Sequence, residues 1–196
     1  MKIVCIGDSL TDGFGVPKVN AWPNVLQNEL AVEINNKGIS GDTSSGMLAR
    51  FYHDVLTNIP THVIICAGGN DLWWNVEVNS ILANLYSMVK QAYHHKIVPI
   101  LAIQPTIHAE FVDRETVWEP IAGYQHLQEN SNELANKIMS MAKNNHFHLV
   151  DFRVPFLNQQ NEPIGKYYEG TDGIHPNELG HIALAKQASQ TIIQIN

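Results

Sequence analysis

The sequence predicts an α/β fold built on a five-stranded parallel sheet, and two observations predict it. Short β-branched runs recur along the chain, and the intervals between them are filled by longer segments of helical period, the pattern of strands joined by crossover helices. Strands are expected near 2–6, 32–36, 62–67, 98–103 and 147–150. The first is the run Lys2-Ile3-Val4-Cys5-Ile6. Helices are expected at about 21–30, 44–54, 79–94, 124–145 and 177–195. In the third of these, Ile81, Leu85, Met88 and Val89 return every three or four positions. Pro176 stands just ahead of the last helix, where a fixed φ suits a helix start. No repeat, low-complexity tract or Pro/Gly/Ser-rich linker divides the 196 residues, so a single domain spanning 1–196 is expected.

Composition excludes several classes of function. The formal charge is −7, with 12 Lys and Arg against 19 Asp and Glu, which argues against a surface that neutralises nucleic-acid phosphates or lies on anionic lipid. The longest apolar runs are of strand length, far short of the ~20 residues that span a bilayer as a helix. Met1 leads straight into the first strand with no signal-peptide h-region, so a cytoplasmic location is expected, unless a precursor segment has been removed. Cys5 and Cys66 each sit inside an apolar run and read as buried thiols rather than a disulfide. There are ten histidines, but no helical His pair with Glu and no Cys cluster, so no metal is expected. Neither a P-loop nor a dinucleotide-binding glycine turn follows a strand, and no cofactor is expected. Nothing in the sequence fixes the oligomeric state.

Parallel sheets bind ligands beyond the carboxyl ends of their strands, so the residues after each run are the ones to inspect. Four segments stand out there: Gly7-Asp8-Ser9-Leu10, Gly38-Ile39-Ser40-Gly41-Asp42-Thr43, Gly68-Gly69-Asn70-Asp71 and Asp172-Gly173-Ile174-His175. A serine hydroxyl needs a base to take its proton, and the base needs a third group to fix its tautomer. Ser9, His175 and Asp172 fill those roles, with Asp172 and His175 three residues apart in one loop. The amides of Ser9 and Gly41 and the side-chain amide of Asn70 are suitable donors for an oxyanion. Taken singly, Ser9 also fits a helix cap, Asp172 a turn and His175 a structural histidine. Their joint appearance at strand ends favours chemistry. Asp8, Asp12, Asp42 and Asp71 read as supporting carboxylates that bind backbone.

These four blocks, in this order, resemble those of the SGNH hydrolases, also called GDSL esterases or lipases. The resemblance runs from Ile3 to Asn177, and the second and third blocks are most similar to the bacterial thioesterase/lysophospholipase (arylesterase) branch. It implies a flavodoxin-like three-layer α/β/α sandwich, Ser9, Asp172 and His175 as the triad, and Ser9, Gly41 and Asn70 as the oxyanion hole. The activity expected is hydrolysis of a carboxylic ester, thioester or lysophospholipid bond through an acyl-enzyme on Ser9, with a small-molecule ester as partner. The alternatives are a carbohydrate O-deacetylase and, in another class, a non-catalytic module whose 9–11 turn holds an anion. The crowd of aspartates argues against the second. Trp73 and Trp74 follow the Asn70 block, and one of them, with residues of 104–118, is expected to form an acyl or aryl pocket, the alternative being that they cover a hydrophobic edge. The unpatterned stretches 104–123 and 152–172 are further candidates for walls of the site, with Tyr167 and Tyr168 read either as wall or as packing.

Overall fold

The computed structural model describes every residue except Thr116, Thr171, Asp172 and Asn196. Its five strands are β1 (Lys2–Gly7), β2 (Glu33–Gly38), β3 (His62–Cys66), β4 (Val98–Ile103) and β5 (His148–Asp151). They form one sheet in the order β2-β1-β3-β4-β5, every pair parallel. The helices are α1 (Ser9–Asp12), α2 (Trp22–Leu30), α3 (Ser44–Asp54), α4 (Gly69–Trp73), α5 (Val78–His94), α6 (Gly123–Asn145) and α7 (Glu178–Ile195).

Alternation along the strands produces the three layers. Val4, Ile6, Val63, Ile65, Leu101 and Ile103 point to one face, where they pack with Met47 and Phe51 of α3, Ile81 and Leu85 of α5, and Leu134 and Ile138 of α6. Ile3, Cys5, Ile64, Cys66, Ile100 and Ala102 point to the other, against Trp22 and Leu26 of α2 and Leu184 and Ala188 of α7. The central strands are buried on both faces, which is why they read as continuous apolar runs. β2 lies at an edge and is mostly polar, Glu-Ile-Asn-Asn-Lys-Gly. It runs to Gly38, two residues past the expected end, because its pairing with β1 continues through Lys37 and Gly38.

Local chemistry sets the helix ends. Thr43 caps α3, its hydroxyl accepting from the Gly46 N–H at 3.2 Å, a contact typically worth about 1 kcal/mol. The last helix begins at Glu178, not at the residue after Pro176. Asn177 is its cap: the carboxamide oxygen accepts from Gly180 N–H at 3.1 Å, and its backbone carbonyl accepts from His181 N–H at 2.9 Å.

The chain reverses direction across the sheet between β1 and β3, with β2 built outward on one side and β4 and β5 on the other. That switch point opens a crevice at the carboxyl ends of β1 and β3. Ser9 follows β1, Gly41 follows β2 and Asn70 follows β3, so the parallel strand order places all three at the same end of the sheet. Among the described residues, no helix is long and apolar enough to cross a membrane.

Candidate active site

Ser9 is the first residue of α1, a single turn whose cap is Asp8. The Asp8 carboxylate accepts from Leu10 N–H at 3.0 Å and is only 2% exposed. Burial pushes its pKa up to about 6, against the opposing effects of the Gln104 and Leu10 hydrogen bonds and the nearby His175. The Ser9 hydroxyl stands 2.8 Å from His175 Nε2, a hydrogen bond joining residues 166 positions apart. The sheet and α7 bring them together, since His175 sits in the turn that leads into that helix. Asp172, the expected third member of the triad, lies outside the described residues.

The turn holding His175 is braced from two sides. Glu169 N–H donates to the His175 carbonyl at 2.8 Å, and Asn177 Nδ2 donates to the Tyr168 carbonyl at 2.9 Å. From the other side, His108 N–H donates to the Gly173 carbonyl at 2.7 Å. Gly173 has a φ of +62°, and a Cβ there would fall 2.4 Å from the His108 carbonyl oxygen, so only glycine allows this strap. Tyr168 is buried and donates its hydroxyl to the Thr106 carbonyl, so it underlies the 104–112 segment. Neither Tyr167 nor Tyr168 lines the cavity described below. The Phe14 ring, half exposed, lies 4.6 Å from the His175 ring and covers it.

Gly41 has a φ of +83°, and nothing lies within 4 Å of where its Cβ would be, so its backbone faces open space. Asn70 occupies the first turn of α4, and its Nδ2 donates to the Asp42 carbonyl at 2.9 Å. A carboxamide carries two N–H donors, so this contact orients the group and leaves the second N–H for a ligand. Asp71, 1% exposed, accepts from Ser44 N–H at 2.8 Å and Ser44 Oγ at 2.6 Å, and Asn84 Nδ2 donates to the same hydroxyl at 2.9 Å. It therefore locks α4 to the start of α3. Asp12 accepts from Ser40 Oγ at 3.0 Å and pairs with Lys18.

Beneath the Gly41 loop, Arg50 of α3 makes four contacts, of which only the i,i+4 pair with Asp54 is local to its helix. Nε donates to Asp42 Oδ2 at 2.7 Å, Nη1 to Asp54 Oδ2 at 2.7 Å and to the Lys37 carbonyl at 2.8 Å, and Nη2 to the Gly7 carbonyl at 3.1 Å. Burial raises the Asp54 carboxyl, but Arg50, His53 and Lys37 together hold it below its ordinary value. An ammonium cannot present donors in this fork. Arg50→Met should lower the unfolding free energy by about 2–3 kcal/mol, the range for removing charge-assisted hydrogen bonds. Arg50→Lys should recover only part. Urea midpoints for both variants within error of the native chain would show that the fork contributes nothing.

A cavity of about 290 Å³ opens at Ser9 and His175. Its walls are Leu72, Trp73 and Trp74 from α4 and the residue after it, Gln104, Pro105, Thr106 and Ile107 after β4, Val117 and Trp118, and a face of α6 including Leu134, Ala135 and Ile138. Gln128, Ser131 and Asn132 of α6 line it as well. Both tryptophans singled out in the sequence thus lie on this wall, Trp74 and Trp118 with exposed rings. Gly41 is not part of the lining. Cys5 and Cys66 are buried beneath the site. Burial pushes both thiols well up, reinforced at Cys66 by the charge of Asp8, so neither is a ready nucleophile. Among the described residues, no group of three or more His, Cys, Asp or Glu side chains is placed to hold a metal ion.

Known proteins resemble this chain in sequence and in fold. The model of the GDSL-like Lipase/Acylhydrolase family matches residues 5–183. An arylesterase of Vibrio mimicus is 26% identical over 136 residues, covering 65% of this chain and 68% of that protein. An acetylxylan esterase of Geobacillus stearothermophilus is 25% identical, covering 94% of this chain and 90% of that protein. Among solved structures, a G-D-S-L family protein from Desulfitobacterium hafniense superposes with a TM-score of 0.82 at 26% identity, over 97% of this chain and 98% of that one. With a family match across most of its length, the chain belongs to the GDSL-like lipase/acylhydrolase family and is a hydrolase of ester bonds.

Proposed function

We propose that the chain is a serine acylhydrolase that works through an acyl-enzyme on Ser9, and the observation that carries this reading is the 2.8 Å contact between Ser9 Oγ and His175 Nε2. As Oγ attacks the ester carbonyl, Nε2 takes its proton. The oxyanion is received by the Ser9 and Gly41 amides and the second N–H of Asn70, each donor typically worth ~100- to 1,000-fold in rate. The imidazolium then protonates the leaving alcohol or thiol. Water enters, gives its proton to Nε2 and releases the acid by the same path in reverse. Asp172, three residues before His175, is the carboxylate assigned to orient the imidazole.

The cavity argues for an acyl group larger than acetyl. An apolar cavity of roughly 150 Å³ takes up benzene, and this one is about 290 Å³. On p-nitrophenyl esters, kcat/KM should therefore rise at least tenfold from acetate to hexanoate. Trp73→Ala, which removes one wall, should move the optimum to longer chains, changing the hexanoate-to-decanoate ratio by about tenfold, within the range for one or two methylenes. An unchanged profile would remove Trp73 from the pocket.

The resemblance over nearly the whole chain to an acetylxylan esterase, together with the exposed Trp118 at the cavity mouth, favours a second reading as a carbohydrate O-deacetylase. Acetate as the best acyl group, with activity on acetylated xylan, would select it. The serine mechanism itself is tested by a fluorophosphonate probe. One phosphonyl group should appear on the peptide containing Ser9, in a reaction that needs native fold and is blocked by substrate. An adduct on another residue, or none on a protein that turns over ester, would overturn the mechanism.

A further inference from the structure

Gln104 follows β4 directly, and its side chain lies between two of the loops that carry the proposed chemistry. Its Oε1 accepts from Gly69 N–H at 2.6 Å, and its Nε2 donates to Asp8 Oδ2 at 2.6 Å. Asp8 precedes Ser9 and Gly69 precedes Asn70. The fit is close, since a Cβ on Gly69 would fall 2.7 Å from Gln104 Oε1. The two partners dictate the chemistry of the bridge. A carboxylate only accepts and a backbone N–H only donates, so the group between them must be a donor at one end and an acceptor at the other. A carboxamide meets that requirement at neutral pH; a carboxylate, an ammonium or an alkyl chain does not.

We propose that Gln104 is a positioning residue for hydrolysis: its carboxamide spans the Asp8 carboxylate and the Gly69 N–H and sets the separation between the Ser9 amide and the Asn70 side chain that together receive the oxyanion. The inference rests on the serine mechanism above. No sequence motif contains Gln104, because the bridge joins residues 96 and 35 positions away. Besides Gln104, the Leu10 N–H and His175 favour the charged form of Asp8, and its charge in turn raises the buried Cys66 thiol.

Two variants test it. Gln104→Met keeps the volume and loses both hydrogen bonds. Its kcat on p-nitrophenyl butyrate should fall 10- to 100-fold, as expected when catalytic groups are misplaced by a fraction of an ångström to an ångström, while KM stays within about threefold. Gln104→Glu is nearly isosteric but can donate to Asp8 only while the two carboxyl groups share a proton. Its kcat divided by that of the native enzyme should be highest near pH 5.5 and fall at least tenfold by pH 8. A residue that merely fills space gives a pH-independent ratio. A Gln104→Met kcat within twofold of native, or a Gln104→Glu profile parallel to the native one, would overturn the proposal. Should the Met variant not fold, the Glu profile decides alone. Ser9→Ala, run beside them, separates the two readings. If it is inactive and the Gln104 variants behave as native, only the positioning role fails; if it remains active, the serine mechanism fails and the positioning role with it.

Discussion

Replacing Ser9 by alanine should lower kcat/KM on a p-nitrophenyl ester by about 10⁴- to 10⁶-fold, with the thermal midpoint within a few degrees of native. The loss is this large because, among the described residues, no thiol or carboxylate at the site is free to replace the nucleophile. The two thiols beneath the site are buried and held protonated, and the carboxylates around the mouth are committed to backbone amides, Ser44 and Arg50. His175→Ala should cost a similar factor, since an unassisted serine hydroxyl is a poor nucleophile. The double variant should be no worse than either single one, because both act in one step and removing either abolishes it. What survives is the rate from the donors and from binding alone. Stability should hardly change in Ser9→Ala. The backbone of α1 is held through the Asp8 cap rather than the Ser9 side chain, and the lost bond to His175 lies at a partly exposed site. Steady-state kinetics with active-site titration to exclude native contamination would measure it. A Ser9→Ala enzyme retaining more than a tenth of native activity would show that another group attacks the ester.

Much of this arrangement was legible in the chain, for a physical reason. Ser9, Gly41 and Asn70 each follow a strand within a few residues, and β1 and β3 are buried runs whose composition marks where they end. A parallel sheet places all such ends on one side, so strand ends translate into spatial proximity without knowledge of side-chain contacts. The groups that were missed act at long range. Arg50 reaches Gly7 across 43 positions and Gln104 reaches Asp8 across 96, and neither sits in a local pattern that reports its partner. Phe14 looks like any loop aromatic until its ring is found against His175. The turns α1 and α4, four and five residues long, are too short to show a helical period and escaped the periodicity reading. Trp73 and Trp74 were legible as neighbours of Asn70. That the cavity continues under α6, reaching Leu134 and Ile138, depends on how that helix packs.

Acidification from pH 7 to 4 should change the stability of the native chain little, while two single variants should diverge from it in opposite directions. His181 of α7 is fully buried, and its Nδ1 accepts from Trp22 N–H at 3.2 Å. Burial, with a smaller effect of His175, pushes its pKa from 6.5 down to about 4. In that interval the unfolded chain takes up a proton that the folded chain does not, so stability is lost as pH falls, by about 3 kcal/mol once pH 4 is passed. Asp8 works the other way. Burial raises its carboxyl from 3.8 to about 6, so between those values the folded chain holds the extra proton, and falling pH restores about 3 kcal/mol. The windows overlap and the contributions nearly cancel. His62, whose pKa is lowered by burial and then by His148 and the chain's N-terminus, adds a smaller loss on the acid side. Asp54, held low, begins to matter only below 3.8. Asp8→Asn removes the compensating group and should lose about 3 kcal/mol more than native between pH 7 and 4. His181→Asn, whose Oδ1 can replace Nδ1 as the acceptor for Trp22, should start less stable through its cavity but gain on native by about 3 kcal/mol over the same range. Urea unfolding at pH 7, 5.5 and 4 measures these differences directly. Three parallel stability curves would mean that neither group titrates differently in the folded and unfolded chain. A divergence in Asp8→Asn alone would place the buried charge at the nucleophile turn and leave His181 reached by water.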